Sequence, residues 1–156
     1  MEAEFNKTAI QIFLSINFSE RFKMLSEKYN DFENRLNKVD KKEVQTILSK
    51  LNYTFKYTEG HFVLKETFDD DYIHLALSLK GGVFSPRLTI FQDRAFWKIS
   101  SGNFVSIYRS LKQNINAQIM MPIFSTYEEF EQIAKEVLGI YEDFKQEFIS
   151  LIERKV

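Results

Sequence analysis

The chain has 156 residues, among them 16 Phe and 7 Tyr, and it contains no cysteine. A chain of this length buries about 68–70% of its unfolded surface, so we expect one domain that needs neither disulfide nor metal for stability. The missing cysteine excludes thiolate zinc sites and cysteine nucleophiles, and the net charge of −1 argues against nucleic acid as a partner.

The first part of the chain has apolar residues at helical spacing. One stripe covers residues 5–16 and a second covers residues 18–39, out of phase with the first. A helix break near Asn17 reconciles the two stripes, although one continuous helix with a rotating face is the alternative. Asp40 and Glu43 have the spacing of a capping box, which predicts a third, short helix.

From Tyr53 to about Ile99 the pattern changes to alternation, which is typical of strands. Glu59-Gly60 and Gly81-Gly82 predict turns, and such short connections permit only antiparallel neighbours. Pro86 should be kept from a central ladder position because it lacks the backbone N–H group. Residues 95–100 are expected to form the last strand of this series.

The stretch before the C-terminal helix is ambiguous. Residues 104–115 fit a helix with Asn103 as the N-cap, although a hairpin that turns at Ser101-Gly102 also fits; we favour the helix. Residues 117–124 predict a further short strand, placed at a sheet edge by Pro122.

A second capping box at residues 125–128 predicts a helix over residues 126–154. Its apolar stripe is Phe130, Ile133, Val137, Tyr141, Phe144, Phe148 and Leu151. Gly139 interrupts good helix formers at a cost of roughly 1 kcal/mol, which indicates a bend or a close contact.

These elements predict an α+β fold in which N-terminal helices and a long C-terminal helix pack on a mainly antiparallel sheet of five to six strands. The single domain, residues 1–156, divides into a helical stretch (1–52), a mainly sheet stretch (53–124) and the C-terminal helix (125–156). No apolar run approaches the ~18 residues that span a membrane, so we expect no membrane association, and the lack of cysteine fits a cytoplasmic protein.

Chemistry-bearing motifs are weak in this sequence. The two histidines, His61 and His74, lack the spacing of a helical metal-binding pair, and the acids at residues 69–71 fit a polar connection between strands. Gly81-Gly82 lacks the lysine that follows in a phosphate-binding loop. We therefore predict no catalytic residue, no metal, no cofactor and no enzymatic activity. An enzyme whose site is assembled from dispersed polar residues, with His61 or His74 taking part, is a third possibility.

Aromatic residues are abundant where the strands begin. Tyr53, Phe55, Tyr57 and Phe62 would stack on bases only from an exposed face of the sheet. Because helices precede and follow the sheet, we expect these rings in the core. Trp97, the single tryptophan, is expected to be a core anchor of the sheet, with an interface anchor as the alternative.

The C-terminal stretch has a clear electrostatic sign, since residues 125–156 contain 8 acidic and 4 basic residues. Glu129, Glu136, Asp143 and Glu147 fall on one line of the helix. Asp143 and Glu147 repel each other at i, i+4, a local cost with no evident local gain. We predict that these four residues bind a partner.

A short cysteine-free chain with an aromatic-rich antiparallel sheet and an acidic closing helix (TYEEFEQIAKEVLGIYEDFKQEF) resembles small bacterial immunity proteins. The resemblance implies a stoichiometric inhibitor that binds and neutralises a cognate toxin, with a basic toxin domain as its partner. The function expected from the residues is non-catalytic protein binding. The alternative is a domain that binds a small apolar ligand in a pocket between sheet and helix.

Overall fold

The computed structural model describes residues 7–92 and 99–154, which form five α-helices and a five-stranded sheet. Neighbouring strands are antiparallel throughout and follow chain order, which confirms the predicted α+β class. The helices are α1 (Lys7–Ser15), α2 (Phe18–Lys28), α3 (Lys41–Lys50), α4 (Phe104–Lys112) and α5 (Tyr127–Arg154). The strands are β1 (Lys56–Thr58), β2 (His61–Phe68), β3 (Asp71–Ser78), β4 (Ser85–Phe91) and β5 (Ile99–Asn103), with a short 3-10 turn at Lys80–Gly82.

The predicted helix break lies at Asn17, whose φ of 59° is left-handed. The second helical stripe ends earlier than predicted, however, because α2 stops at Lys28 and Phe32 is exposed. The backbone beyond α2 bonds to another segment instead. The Tyr29 carbonyl accepts from the Ile123 N–H at 2.7 Å, and the Leu36 N–H donates to the Phe124 carbonyl at 3.0 Å. The apolar residues Leu36 and Val39 therefore pack against the core from a segment that is not helical.

Side-chain caps fix the starts of two helices. The Asp40 carboxylate accepts from the Lys42 N–H at 2.9 Å and opens the predicted helix α3, but the predicted capping box is incomplete because the Asp40 N–H donates to the Tyr127 hydroxyl. The Asn103 side chain accepts from the Ser106 N–H at 2.8 Å and opens α4. This cap confirms the helix rather than the alternative hairpin at residues 101–102, since β5 continues directly into α4.

The hairpin between β1 and β2 turns at Glu59-Gly60, and both residues have positive φ (50° and 82°), as a tight two-residue turn requires. The start of the first strand was predicted wrongly, because β1 begins at Lys56 and not at Tyr53. The Tyr53 hydroxyl instead donates to the Glu142 carboxylate of α5 at 2.6 Å. Pro86 pairs with β3 alone, since the pairing of β5 begins at Arg87, and the proline thus avoids a central position.

The sixth strand predicted at residues 117–124 is wrong, because this segment forms only an isolated bridge between Val83 and Ile123. Its backbone bonds are shared among the turn at Gly82, the end of α2 and the following loop, so no single neighbour sustains a ladder. The strand predicted at residues 95–100 lies mostly outside the described residues, and so does Trp97.

The described helices cover one face of the sheet. On β3, Ile73, Leu75 and Leu77 are at most 1% exposed, whereas the alternating residues at 72–76 on the other face are half-buried. The space between the helices and the covered face is filled by rings in mutual contact, namely Phe13, Phe18, Phe22, Phe104, Phe144 and Phe148. The sheet is therefore amphipathic, with an inner face in the core and an outer face that the described helices leave uncovered.

Gly82, in the β3–β4 turn, lies close to the loop after α2. Its φ is +78°, and an added Cβ would lie 2.8 Å from the backbone nitrogen of Leu36. A side chain at this position would thus have to displace backbone. At the neighbouring Gly81, whose φ is also positive, an added Cβ would meet nothing within 4 Å.

Candidate binding surfaces

The capping box of the long α5 helix lies one residue later than the box predicted at residues 125–128. The Glu129 N–H donates to the Thr126 hydroxyl at 3.1 Å, and the Glu129 carboxylate accepts from the Ser125 N–H at 2.7 Å. Thr126 is therefore the N-cap, and the first of the four predicted partner-binding acids is engaged at the start of its own helix.

The third of these acids is paired inside the chain. The Arg21 guanidinium on α2 donates to the Asp143 carboxylate at 2.7 Å. An added Cβ at Gly139 would lie 3.3 Å from the Arg21 guanidinium, so of the two alternatives predicted at this glycine, a bend or a close contact, the structure shows the close contact. The repulsion between Asp143 and Glu147 is thus offset locally, an arrangement that the sequence pattern did not reveal.

The remaining α5 acids divide into two groups. Glu131 accepts from Lys50 at 3.0 Å and from Lys135 at 3.4 Å, and the hydrogen bond from Lys50 holds the pKa of Glu131 below its usual range. Within the described part of the chain, Glu136 and Glu147 form no ion pair, and both are exposed. Of the predicted acidic line, these two carboxylates are available to a partner.

Glu136 lies at the edge of a groove of about 600 Å³ between α2 and α5. The groove has an apolar floor formed by the buried parts of Leu25 and Tyr29, and the Tyr29 hydroxyl donates to Gln132 across it at 2.7 Å. Met24 projects into the groove with 64% of its surface exposed. The other lining residues are Arg21, Glu27, Lys28 and Lys135.

A second cleft, of about 490 Å³, contains a hydrogen-bonded cluster where α5 crosses β2. The Lys145 ammonium bridges Glu142 at 2.8 Å and Glu66 at 3.3 Å. The Tyr53 hydroxyl donates to Glu142, and the Tyr141 hydroxyl donates to Glu66, each at 2.6 Å. Each carboxylate thus receives a lysine and a tyrosine, and together the five side chains fasten α5 to β2 and to the chain after α3.

The pKa values of the three proton donors in this cluster, Tyr53, Tyr141 and Lys145, are all raised. Burial, and then the carboxylate that each hydroxyl contacts, raises the pKa of Tyr53 and of Tyr141. Burial acts to lower the pKa of Lys145, but Glu142 and Glu66 outweigh it and the net shift is upward. All three donors therefore keep their protons near neutral pH, so neither tyrosine is a phenolate base and Lys145 is not a neutral amine nucleophile.

The strand register determines which residues share the outer face of the sheet. One row across it is Lys56, Val63, Ala76, Arg87 and Asn103. The next row is Lys65, His74, Thr89 and Ser101, in which the Thr89 and Ser101 hydroxyls are hydrogen-bonded at 3.0 Å. Thr67, Tyr72 and Phe91 belong to a third row.

Two rings and a cation meet on this outer face. Tyr72 and Phe91 are stacked with ring centroids 5.1 Å apart and planes within 12° of parallel. The Lys65 ammonium lies 4.4 Å from the centroid of Tyr72. Burial, and then Lys65, lowers the pKa of His74, so its imidazole is neutral at pH 7. Lys65, Tyr72 and Phe91 were not singled out in the sequence, although alternation along β2, β3 and β4 would have grouped them with His74 if the register had been known.

The candidate residues named in the sequence, the histidines and the aromatic residues near the start of the sheet, do not form one site in the described residues. His74 is on the outer face, whereas Asp71 belongs to the inner register, and the described residues contain no cluster of His, Cys, Asp or Glu suited to a metal. Phe55 and Phe62 are buried, as expected for core rings. Tyr57, in contrast, is exposed, with the Lys41 ammonium 4.2 Å from its ring centroid.

No protein-family model matches the chain, and no curated protein or solved structure is significantly similar to it. Among the described residues, no helix combines the length and the apolar character that crossing a membrane requires.

Proposed function

We propose that this chain is a non-catalytic protein-binding domain, most concretely an immunity protein that neutralises a bacterial toxin in the cytoplasm. The observation that carries the proposal is the position of Glu136 beside the α2–α5 groove, in which Met24 is largely exposed. A methionine that projects from an apolar floor, next to a carboxylate without an internal partner, has the composition of a protein interface centre and its polar rim.

The charges of α5 favour a basic partner. Glu136 and Glu147 are exposed and form no ion pair with a cation of the described residues. The helix as a whole carries more acids than bases, and such a field accelerates association with a basic surface. A toxin whose active site binds an anionic substrate would present such a surface.

The test begins with capture from the native host. Glu136→Lys combined with Met24→Glu should lose the partner, whereas Glu128→Lys should keep it, since Glu128 is an exposed acid on the same helix outside the groove. The captured protein is then produced alone and assayed for toxicity. One equivalent of wild-type protein should abolish its activity, and retained capture by the groove variant would contradict the proposed surface.

The two other functions considered for the sequence gain no support from a specific contact. Where the structure describes the interface between sheet and helices, phenylalanine rings fill it, which leaves no observation in favour of an apolar-ligand pocket there. His61, which is exposed, and His74, on the outer face, do not converge with a carboxylate in the described residues.

A further inference from the structure

The strands sort their charged residues by face. On the outer face, the charged residues that the described strands contribute are Lys56, Lys65 and Arg87, all basic. The two strand acids, Glu66 and Asp71, belong to the inner register. Among the described residues, the turns that flank the strands add acids at Glu59 and at residues 69–70, and Glu142 of α5 lies beside Glu66 on the inner side. The outer face therefore has a single sign of charge along its strands.

The cations are spread across the face instead of being gathered at one edge. Lys56 on β1 and Arg87 on β4 share a row and are three strand spacings apart, roughly 14 Å. Lys65 lies between them, one row further along the sheet. Such spacing suits successive charges along an extended anionic chain better than one small anion.

Rings and neutral hydrogen-bonding groups occupy the same rows. Tyr72 and Phe91 stack on the two central strands β3 and β4, and both rings are half-buried. The Lys65 side chain, which lies over Tyr72, is exposed and flexible enough to exchange this ring contact for a contact with a ligand anion. His74 and Thr89 separate the rings from Arg87 and provide donors and acceptors at intermediate positions.

We propose that the outer face binds single-stranded nucleic acid, with the three cations on phosphates and with bases against Tyr72 and Phe91. An open antiparallel sheet that combines aromatic rings on its central strands with dispersed cations suits unpaired bases, which stack on rings and use their edges for hydrogen bonds. A five-stranded face is too broad to enter a duplex groove about 12 Å wide.

The net charge of −1 predicted no nucleic-acid binding, but it averages two separated regions. Acids dominate α5, which packs against the inner face, while the outer face is basic. Binding at the outer face is independent of the α2–α5 groove, because the two surfaces belong to different layers of the fold.

The test uses the full chain and a fluorescently labelled 12-nucleotide poly-U RNA, followed by fluorescence anisotropy in about 50 mM salt. Lys65→Glu and Arg87→Glu should each weaken binding at least tenfold. Lys23→Glu, the same charge change at an exposed position of α2, should leave it unchanged. With three phosphate contacts, the logarithm of affinity should fall with the logarithm of salt concentration with a slope of about −2.

The ring contribution is tested at constant charge. Phe91→Leu and Tyr72→Leu keep apolar volume on the sheet and should each reduce affinity about tenfold, with unfolding midpoints showing that both variants fold. Affinity that survives both ring variants, together with equal displacement by polyglutamate, would identify a surface for acidic proteins and overturn the assignment. Absence of RNA binding by the folded wild-type chain would overturn it as well.

Discussion

The Arg21 guanidinium on α2 lies 2.7 Å from the Asp143 carboxylate on α5, so an acid that the helix pattern assigned to an external partner is paired within the chain. The Asp143 side chain is 56% exposed, which limits the strength of this pair through solvent screening. A double-mutant cycle with Arg21→Met and Asp143→Asn should give a coupling of about 0.2–1 kcal/mol in urea unfolding. A coupling of zero would mean that Asp143 is as available to a partner as Glu147.

Gly139 allows the Arg21 side chain to cross α5. Gly139→Ala should raise the free energy of unfolding by up to about 1 kcal/mol, because alanine favours the helix and the atom it approaches is the flexible end of a side chain. The gain should be larger in an Arg21→Ala background, where nothing has to move. Thermal unfolding of the four proteins measures both effects, and destabilisation in both backgrounds would contradict this contact.

Gly81 and Gly82 form a matched pair in one turn. Gly81→Ala should cost roughly 1–2 kcal/mol, since only the left-handed backbone conformation opposes it. Gly82→Ala should cost about 1–3 kcal/mol more, because its Cβ would meet the Leu36 backbone. Urea unfolding distinguishes the two variants, and equal losses would show that the loop after α2 moves aside freely.

Tyr141 and Tyr53 donate equally short hydrogen bonds from different environments. Tyr141 is 1% exposed, and Tyr141→Phe should cost about 1.5–3 kcal/mol because a buried bond to a charged group is lost. Tyr53→Phe should cost less, since Tyr53 is partly exposed and water can reach Glu142. Chemical denaturation of both variants checks this order, and a reversed order would refute the role given to burial.

His74 should make stability depend on pH. Its pKa in the folded protein lies below the ordinary value of 6.5, so the neutral form is favoured by folding and the unfolded chain binds the proton more tightly. Stability should fall as the pH drops from about 7.5 through the folded pKa, and His74→Gln should lose less stability than wild type over this range.

The control for this pH dependence is His61→Gln, which removes an exposed imidazole from the first residue of β2. It should retain the wild-type dependence, measured as the difference between urea midpoints at the two ends of the pH range. Identical curves for wild type and His74→Gln would rule out the contribution of His74.

Local interactions made several elements of the fold predictable from the sequence. Side-chain caps at Asp40 and Asn103, the turn at Glu59-Gly60 and the apolar stripe of α5 act between near neighbours, and each was predicted at or within one residue of its place. The predictions failed at Tyr53 and at residues 117–124. At both places, backbone and side-chain groups form hydrogen bonds with partners distant in sequence, and the local spacing of apolar residues contains no information about such partners.

Which charged side chains remain unpaired depends on contacts between residues far apart in sequence. Arg21 reaches Asp143 across 122 positions of sequence, and the alignment of Lys65 with His74 and Thr89 depends on the register of two hairpins. A shift of one residue in that register would exchange the inner and outer faces and bury the cations. The acidity of α5 could therefore be predicted from the sequence, whereas the basic outer face exists only because the four strands β1 to β4 pair in one alignment.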